Sequence, residues 1–189
     1  MKKSIKTQRL LAQYSCKIAQ KHLVMGAMGN ISLCDDRREV WIKRGGTWME
    51  QAKPSDFIRV NAKNRGLVSK EINLHLGCYE ARPDIGAVIH THPFIITAMG
   101  TVLAKRKRLA SSMGLGTPSD ISSSVAIIKY YQPGSKVLAK AVSKAIKKAD
   151  CVVMANHGLV VVGRSLKEAY KKTVDIEVNA GKLLAKSIK

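Results

Sequence analysis

The sequence predicts a mixed α/β domain: a largely antiparallel central sheet with helices packed against it. Three observations predict this class. Short apolar runs end at glycine, proline, asparagine or aspartate, which marks strands bounded by turns. Longer segments repeat their apolar residues at helical spacing, which marks amphipathic helices. The first strands follow one another through short turns, as in an antiparallel meander.

The elements follow in order. Residues 5–24 keep helical spacing and end near Gly26. The loop "GAMGN" leads to a strand, "ISLC" (31–34), and "DDRR" turns the chain into "EVWIKR" (39–44). Gly45 and Gly46 break that strand. A helical turn near "KPSD" precedes a third strand, "FIRVN" (57–61), and "AKNRG" is another turn. "SKEINLHLGCYEAR" (69–82) reads as a helix with Ser69 as its cap and Ile72, Leu76 and Tyr79 on its apolar face. "AVIHTH" (87–92) is a strand, and Pro93 suits the first turn of the helix "PFIITAMGTVLA" (93–104). "SSSVAIIKYY" holds a further strand, and residues 135–148 form a helix. Its apolar positions are Val137, Leu138, Ala141, Val142 and Ile146, with lysines opposite. The strands "CVVMA" and "LVVVG" and a long helix from Ser165 to Ile188 complete the chain. No repeat or linker appears, so residues 1–189 are expected to form a single domain.

Composition narrows the function classes. No apolar run is long enough to span a membrane. The N-terminal segment is amphipathic rather than a signal peptide, so a cytoplasmic location is expected. Cys16, Cys34, Cys78 and Cys151 form no C-x-x-C pair, and each lies in an apolar context, so buried free thiols are expected. The net charge of +20 favours anionic ligands. The lysines are nevertheless dispersed, and aromatic residues make up only 5% of the chain, too few for a stacking platform. Nucleic-acid binding is therefore not expected, and the lysines read as a solvated face. The basic cluster "KRKR" (105–108) reads as a surface turn.

Chemistry concentrates in "GAVIHTHPF" (86–94). Residues two apart on a strand share a face, so His90 and His92 point the same way where Pro93 ends the strand. Two imidazoles so placed form half of a metal site. His157 sits in "MANHGLVVVG", a tight connection between two apolar strands. It reads either as turn chemistry or as a third ligand at the same sheet end, leaving an open position for water or substrate. His22 ends the first helix, where its charge is favourable. Glu71 and His75, four apart, share a helix face. They read either as an ion pair or buried hydrogen-bonded histidine, or as a site in which Glu71 carries protons and His75 is structural. A carboxylate beside a metal suits proton transfer at carbon next to a carbonyl.

The motifs "GNIS" (29–32), "SKEINLHLGCYEARPDIGAVIHTHP" (69–93), "YYQPGS" (130–135) and "NHGLVVVGRSLKEAYKKTVDIE" (156–177) appear in this order. With them the chain resembles the class II aldolase and adducin head-domain family over nearly its whole length. The resemblance implies a three-layer α/β/α fold and a divalent metal, usually zinc, on His90, His92 and His157. It implies Glu71 as the catalytic acid, able also to ligate the resting metal, and a ring-shaped homotetramer. The activity implied is lyase chemistry on a small anionic, phosphorylated ketose through a metal-stabilised enediolate. Aldol cleavage leads; dehydration of a thio-sugar phosphate and sugar-acid decarboxylation can use the same site. Adducin heads, which lack the ligands, supply the non-enzyme alternative of a binding scaffold. Glutamate rather than aspartate at the acid position leans toward the aldolase and dehydratase branch.

The same resemblance places substrate and phosphate contacts on three loops: Asn30; Arg44, Gly45 and Gly46; Ser69 and Lys70. Here the chain departs from the family. Ala27 replaces a common threonine, Gly45-Gly46 replaces a Thr/Ser-Gly pair, and Ser69-Lys70 replaces a Ser-Ser pair. Glycine-turn amides and the charges of Arg44 and Lys70 are expected to take over from the missing hydroxyls. The family also often carries a tyrosine where this chain has "LASSMGLG" (109–116).

Overall fold

The computed structural model describes residues 2–105 and 125–187. Residues 106–108 of the basic cluster and the segment 109–116 lie outside the described residues.

Among the described residues, seven strands form one sheet: β1 (Asn30–Cys34), β2 (Val40–Lys43), β3 (Phe57–Arg59), β4 (Ala87–Thr91), β5 (Val125–Ile128), β6 (Cys151–Met154) and β7 (Gly158–Gly163). Their order is β3-β2-β1-β4-β7-β6-β5. The β5–β6 pair is parallel and the other pairs are antiparallel. Parallel neighbours need a crossover, supplied here by helix α4 (Lys136–Ile146).

Side-chain alternation then sorts the helices into two layers. Ile31, Ala87 and Ile89 pack with Leu11 and Ile18 of α1 (Lys2–Gln20) and with Leu166 and Ala169 of α5 (Leu166–Ser187). On the same face, Val153, Leu159 and Val161 meet Ile96 of α3 (Phe94–Lys105) and Ala180 of α5. The intervening residues Val88, Val152, Val160 and Val162 face Leu74 and Cys78 of α2 (Ile72–Ala81) and Leu138 and Val142 of α4. The result is a three-layer α/β/α sandwich. Strands β4, β6 and β7 are buried along their whole length. Covered on both faces, they read as unbroken apolar runs.

Several local expectations change. Helix α1 stops at Gln20, four residues short of the expected end. His22 takes a left-handed conformation (φ 55°) and Leu23 N–H reaches back to Ile18 O. That reversal is a Schellman-type ending, sealed by Leu23 and Ile18 in one apolar cluster. Ser69 is not a helix cap: α2 opens at Ile72 with Glu71 at its N-cap position, and the Ser69 hydroxyl accepts the Glu71 N–H at 3.3 Å. On α4, Val137 is 61% exposed and Ala139 is buried, because the helix presents a face rotated from the one its spacing suggests. The four cysteines are free, but Cys16 and Cys34 are only partly buried. Among the described residues, no helix is long and apolar enough to cross a membrane.

Candidate active site

Register builds the site. His90 faces Asn30 of β1 on one side and Val160 of β7 on the other. The β6–β7 turn returns to the same sheet end: His157 N–H bonds Met154 O at 3.1 Å, and Asn156 takes φ 54°. Asparagine tolerates that conformation better than most residues. Past the end of β4, the His92 N–H is held by Leu23 O at 2.9 Å. The structure thus brings His90, His92 and His157 together, with a ligand atom from each within 4.8 Å of the others. His90 Nε2 and His92 Nε2 are 3.0 Å apart.

Gly158 makes this convergence possible. A Cβ there would sit 2.4 Å from Thr91 O, 2.6 Å from the His92 ring and 3.3 Å from the His90 ring. Gly158→Ala is therefore expected to lose about 1–3 kcal/mol of stability and at least about tenfold in metal affinity, by analogy with disturbing a ligand's support. Denaturant melts and zinc titration check this. Gly66→Ala, which meets nothing within 4 Å, is the control.

Glu71 stands one turn before His75 on the α2 side of the sheet, the face that carries His90. Its Oε1 accepts the Gly134 N–H at 2.6 Å, while Oε2 is buried with no hydrogen-bond partner among the described residues. Burial raises its pKa, partly opposed by the Gly134 bond. Among the described residues, the group within 4.8 Å holds the three histidines and not Glu71.

The three loops also meet. Arg44 pairs with Val68 in an isolated bridge, Gly45 N–H bonds Leu67 O at 3.0 Å, and Ser69 N–H bonds Lys43 O at 3.2 Å. The Arg44 and Lys70 residues, like Gly45 and Gly46, are exposed. The first loop is joined by a residue that sequence reasoning missed. Lys43 is 1% exposed, and its ammonium donates to Ala27 O at 3.0 Å and Thr47 O at 2.5 Å. Burial pulls its pKa down to about 8, against the pull of Asp56. The available signal was its phase: Lys43 alternates in step with Trp41, which packs on the covered α1 face.

A profile of the Class II Aldolase and Adducin N-terminal domain matches residues 9–182. The chain belongs to this family. It is 28% identical over 167 residues to an L-fuculose phosphate aldolase of Methanocaldococcus jannaschii, covering 87% of this chain and 88% of that one. It is 28% identical over 187 residues to a 3-oxo-tetronate 4-phosphate decarboxylase of Escherichia coli, covering 93% and 86%. A sugar-phosphate aldolase structure from Thermotoga maritima superposes with a TM-score of 0.81 at 22% identity, covering 95% and 94%, and shares the fold.

The divalent metal used by class II aldolases fits the donor set of this chain. His90 Nδ1–H donates to Leu159 O at 3.1 Å, so in the neutral ring Nε2 keeps a free lone pair. Burial lowers the pKa of all three rings; His92 falls to about 4, and His90 is lowered further by its two neighbours. Uncharged imidazoles are the form that ligates. His157 Nδ1 is buried without a hydrogen-bond partner among the described residues. An orphaned nitrogen of this kind suits a ligand position.

His75, a fully buried residue of this class II aldolase fold, belongs to a different group. Its Nδ1 meets Ser32 Oγ at 2.6 Å, its Nε2 meets Asn30 Oδ1, and Ser32 Oγ meets Tyr79 OH at 2.8 Å. Burial lowers its pKa from 6.5 to about 3. Between those values the unfolded chain binds the extra proton, so stability rises with pH through this window and is lost as pH falls below 6.5. From pH 6.5 to about 4.5, His75 alone is expected to remove roughly 2 kcal/mol. Denaturation at both pH values, wild type against His75→Gln, isolates this contribution.

Proposed function

We propose that the chain is a metal-dependent lyase acting on a small phosphorylated keto-sugar, with aldol cleavage as its reaction. One observation carries the reading: three uncharged imidazoles meet at the sheet end, on the face that also holds a buried carboxyl with one oxygen unpartnered among the described residues. His90, His92 and His157 would hold the ion. Zinc suits three imidazoles with an open position. When bound, a divalent cation there supplies positive charge to the carbonyl and hydroxyl oxygens of the substrate. Glu71 moves the proton. Gly134 fixes Oε1, and Oε2 is left to take or return a proton at the carbon beside the carbonyl. Its raised pKa brings it nearer the operating pH.

The phosphate end falls to the three loops. Asn30, the Gly46 amide of the Gly45-Gly46 turn, and Ser69 supply neutral groups, the Gly45 amide being already bonded to Leu67 O, while Arg44 and Lys70 supply charge. The buried Lys43 ammonium ties the first two loops together and, below about pH 8, adds a positive charge beneath them. The wider reading includes a cytoplasmic homotetramer. Phe94, 83% exposed, and Met25, 72% exposed, flank the mutually bonded His92 and Leu23 and offer apolar surface to a second copy.

Decarboxylation is the second reading, favoured by the 187-residue alignment to the Escherichia coli enzyme. One experiment separates the readings. Zinc-loaded protein is incubated with ketose 1-phosphates and with 3-oxo sugar-acid phosphates, following aldehyde and carbon dioxide separately. Aldehyde release supports cleavage and carbon dioxide the alternative. Absence of both, with no zinc retained, returns the chain to an adducin-like binding role.

A further inference from the structure

We infer that His75 is a positioning residue: with Ser32 and Tyr79 it locks the Asn30 side-chain amide so that its NH2 group, not its oxygen, is turned away from α2 as a donor to an anionic substrate oxygen. The role of Asn30 as a substrate contact rests on the proposed function; the direction of the hydrogen bonds does not.

The direction follows from counting donors. Tyr79 is 3% exposed, and Ser32 and His75 are fully buried, so each hydrogen needs an acceptor inside the protein. Two directions are conceivable along Tyr79–Ser32–His75–Asn30. In the first, Tyr79 O–H donates to Ser32 Oγ, Ser32 O–H donates to His75 Nδ1, and His75 Nε2–H donates to Asn30 Oδ1. Every hydrogen is then used. In the second, His75 Nδ1–H donates to Ser32 and Ser32 donates to Tyr79. The phenol hydrogen is then left without an acceptor among the described residues, at the full desolvation cost of a buried donor. Because His75 stays neutral, it has one N–H to place. Bonding from Ser32 puts that hydrogen on Nε2, and Asn30 must answer with its oxygen. Asn30 is 4% exposed, and turning its amide would set its NH2 against the His75 N–H and break the chain.

The test uses the full-length protein labelled with nitrogen-15. Long-range proton–nitrogen correlation is expected to show His75 with Nε2 protonated and Nδ1 bare at neutral pH; the opposite tautomer overturns the proposal. Inorganic phosphate is then titrated while the Asn30 NH2 signals are followed. They are expected to shift in wild type and in His75→Gln, whose amide NH2 reaches the place of Nε2. In His75→Leu, phosphate is expected to bind about tenfold more weakly at this amide. An equal response in His75→Leu, or no response in wild type, overturns the proposal. Ser32→Ala, which deletes one oxygen, guards against misfolding of the leucine variant: it is expected to leave His75 as a mixture of tautomers, and a single unchanged tautomer counts against the lock. No arm depends on lyase turnover, so failure of the enzymatic reading is read separately.

Discussion

Replacing His92 with alanine is expected to lower metal affinity by more than about a hundredfold, since loss of a direct ligand exceeds the 10–100-fold cost of losing a ligand's support. Lyase turnover is expected to fall to background with it. The variant tests the site without dismantling the fold. His92 lies past the last residue of β4 and is only partly buried, and the contact recorded for its backbone, N–H to Leu23 O, survives the substitution. His90 is a poorer choice for this purpose: it is 1% exposed and its truncation opens a cavity on the α2 face of β4. The measurements are zinc content after purification without chelator and a circular dichroism melt. Normal zinc content in a folded His92→Ala protein would refute the ligand assignment.

Glu71→Gln is expected to lower kcat by about 10²–10⁴, the range lost with a general acid or base, while zinc content stays at the wild-type level. The two readouts separate because Glu71 lies outside the 4.8 Å histidine group. Glutamine keeps an oxygen for the Gly134 N–H, so the side chain is expected to hold its place while losing its titration. Since burial raises the Glu71 pKa above 4.5, the acidic limb of kcat/KM is expected above the ordinary carboxylate range in wild type and absent from the variant. A loss of less than about tenfold would remove Glu71 from the proton-transfer role.

Much of this site could be read before any coordinates. The i, i+2 pair His90 and His92 shares a strand face by geometry alone, and Pro93 marks where that strand stops. The Asn156-Gly158 turn announced a polar residue between two buried strands, although nothing local showed which end of β4 it would meet. The loops expected to hold an anion were harder. Their glycines were visible, but Lys43 reads in isolation as one more lysine in a chain of net charge +20. Its burial depends on Ala27 and Thr47 supplying carbonyls from two other turns. His75 was legible as a buried, hydrogen-bonded histidine on the face it shares with Glu71, but its partners were not: its side chain bonds Ser32 and Asn30, 43 and 45 residues away.

By itself the sequence determined the elements and their two-faced character, because helix and strand periods are short and each is written in a dozen neighbouring residues. It also determined which residues could do chemistry. Only the tertiary structure decided that β4 lies between β1 and β7, so that His90 meets Asn30 on one side and the strand led in by His157 on the other. Strand pairing over such separations is selected by the burial of whole faces against whole helical layers. No single residue encodes it, and so the donors meet only when the sheet is complete.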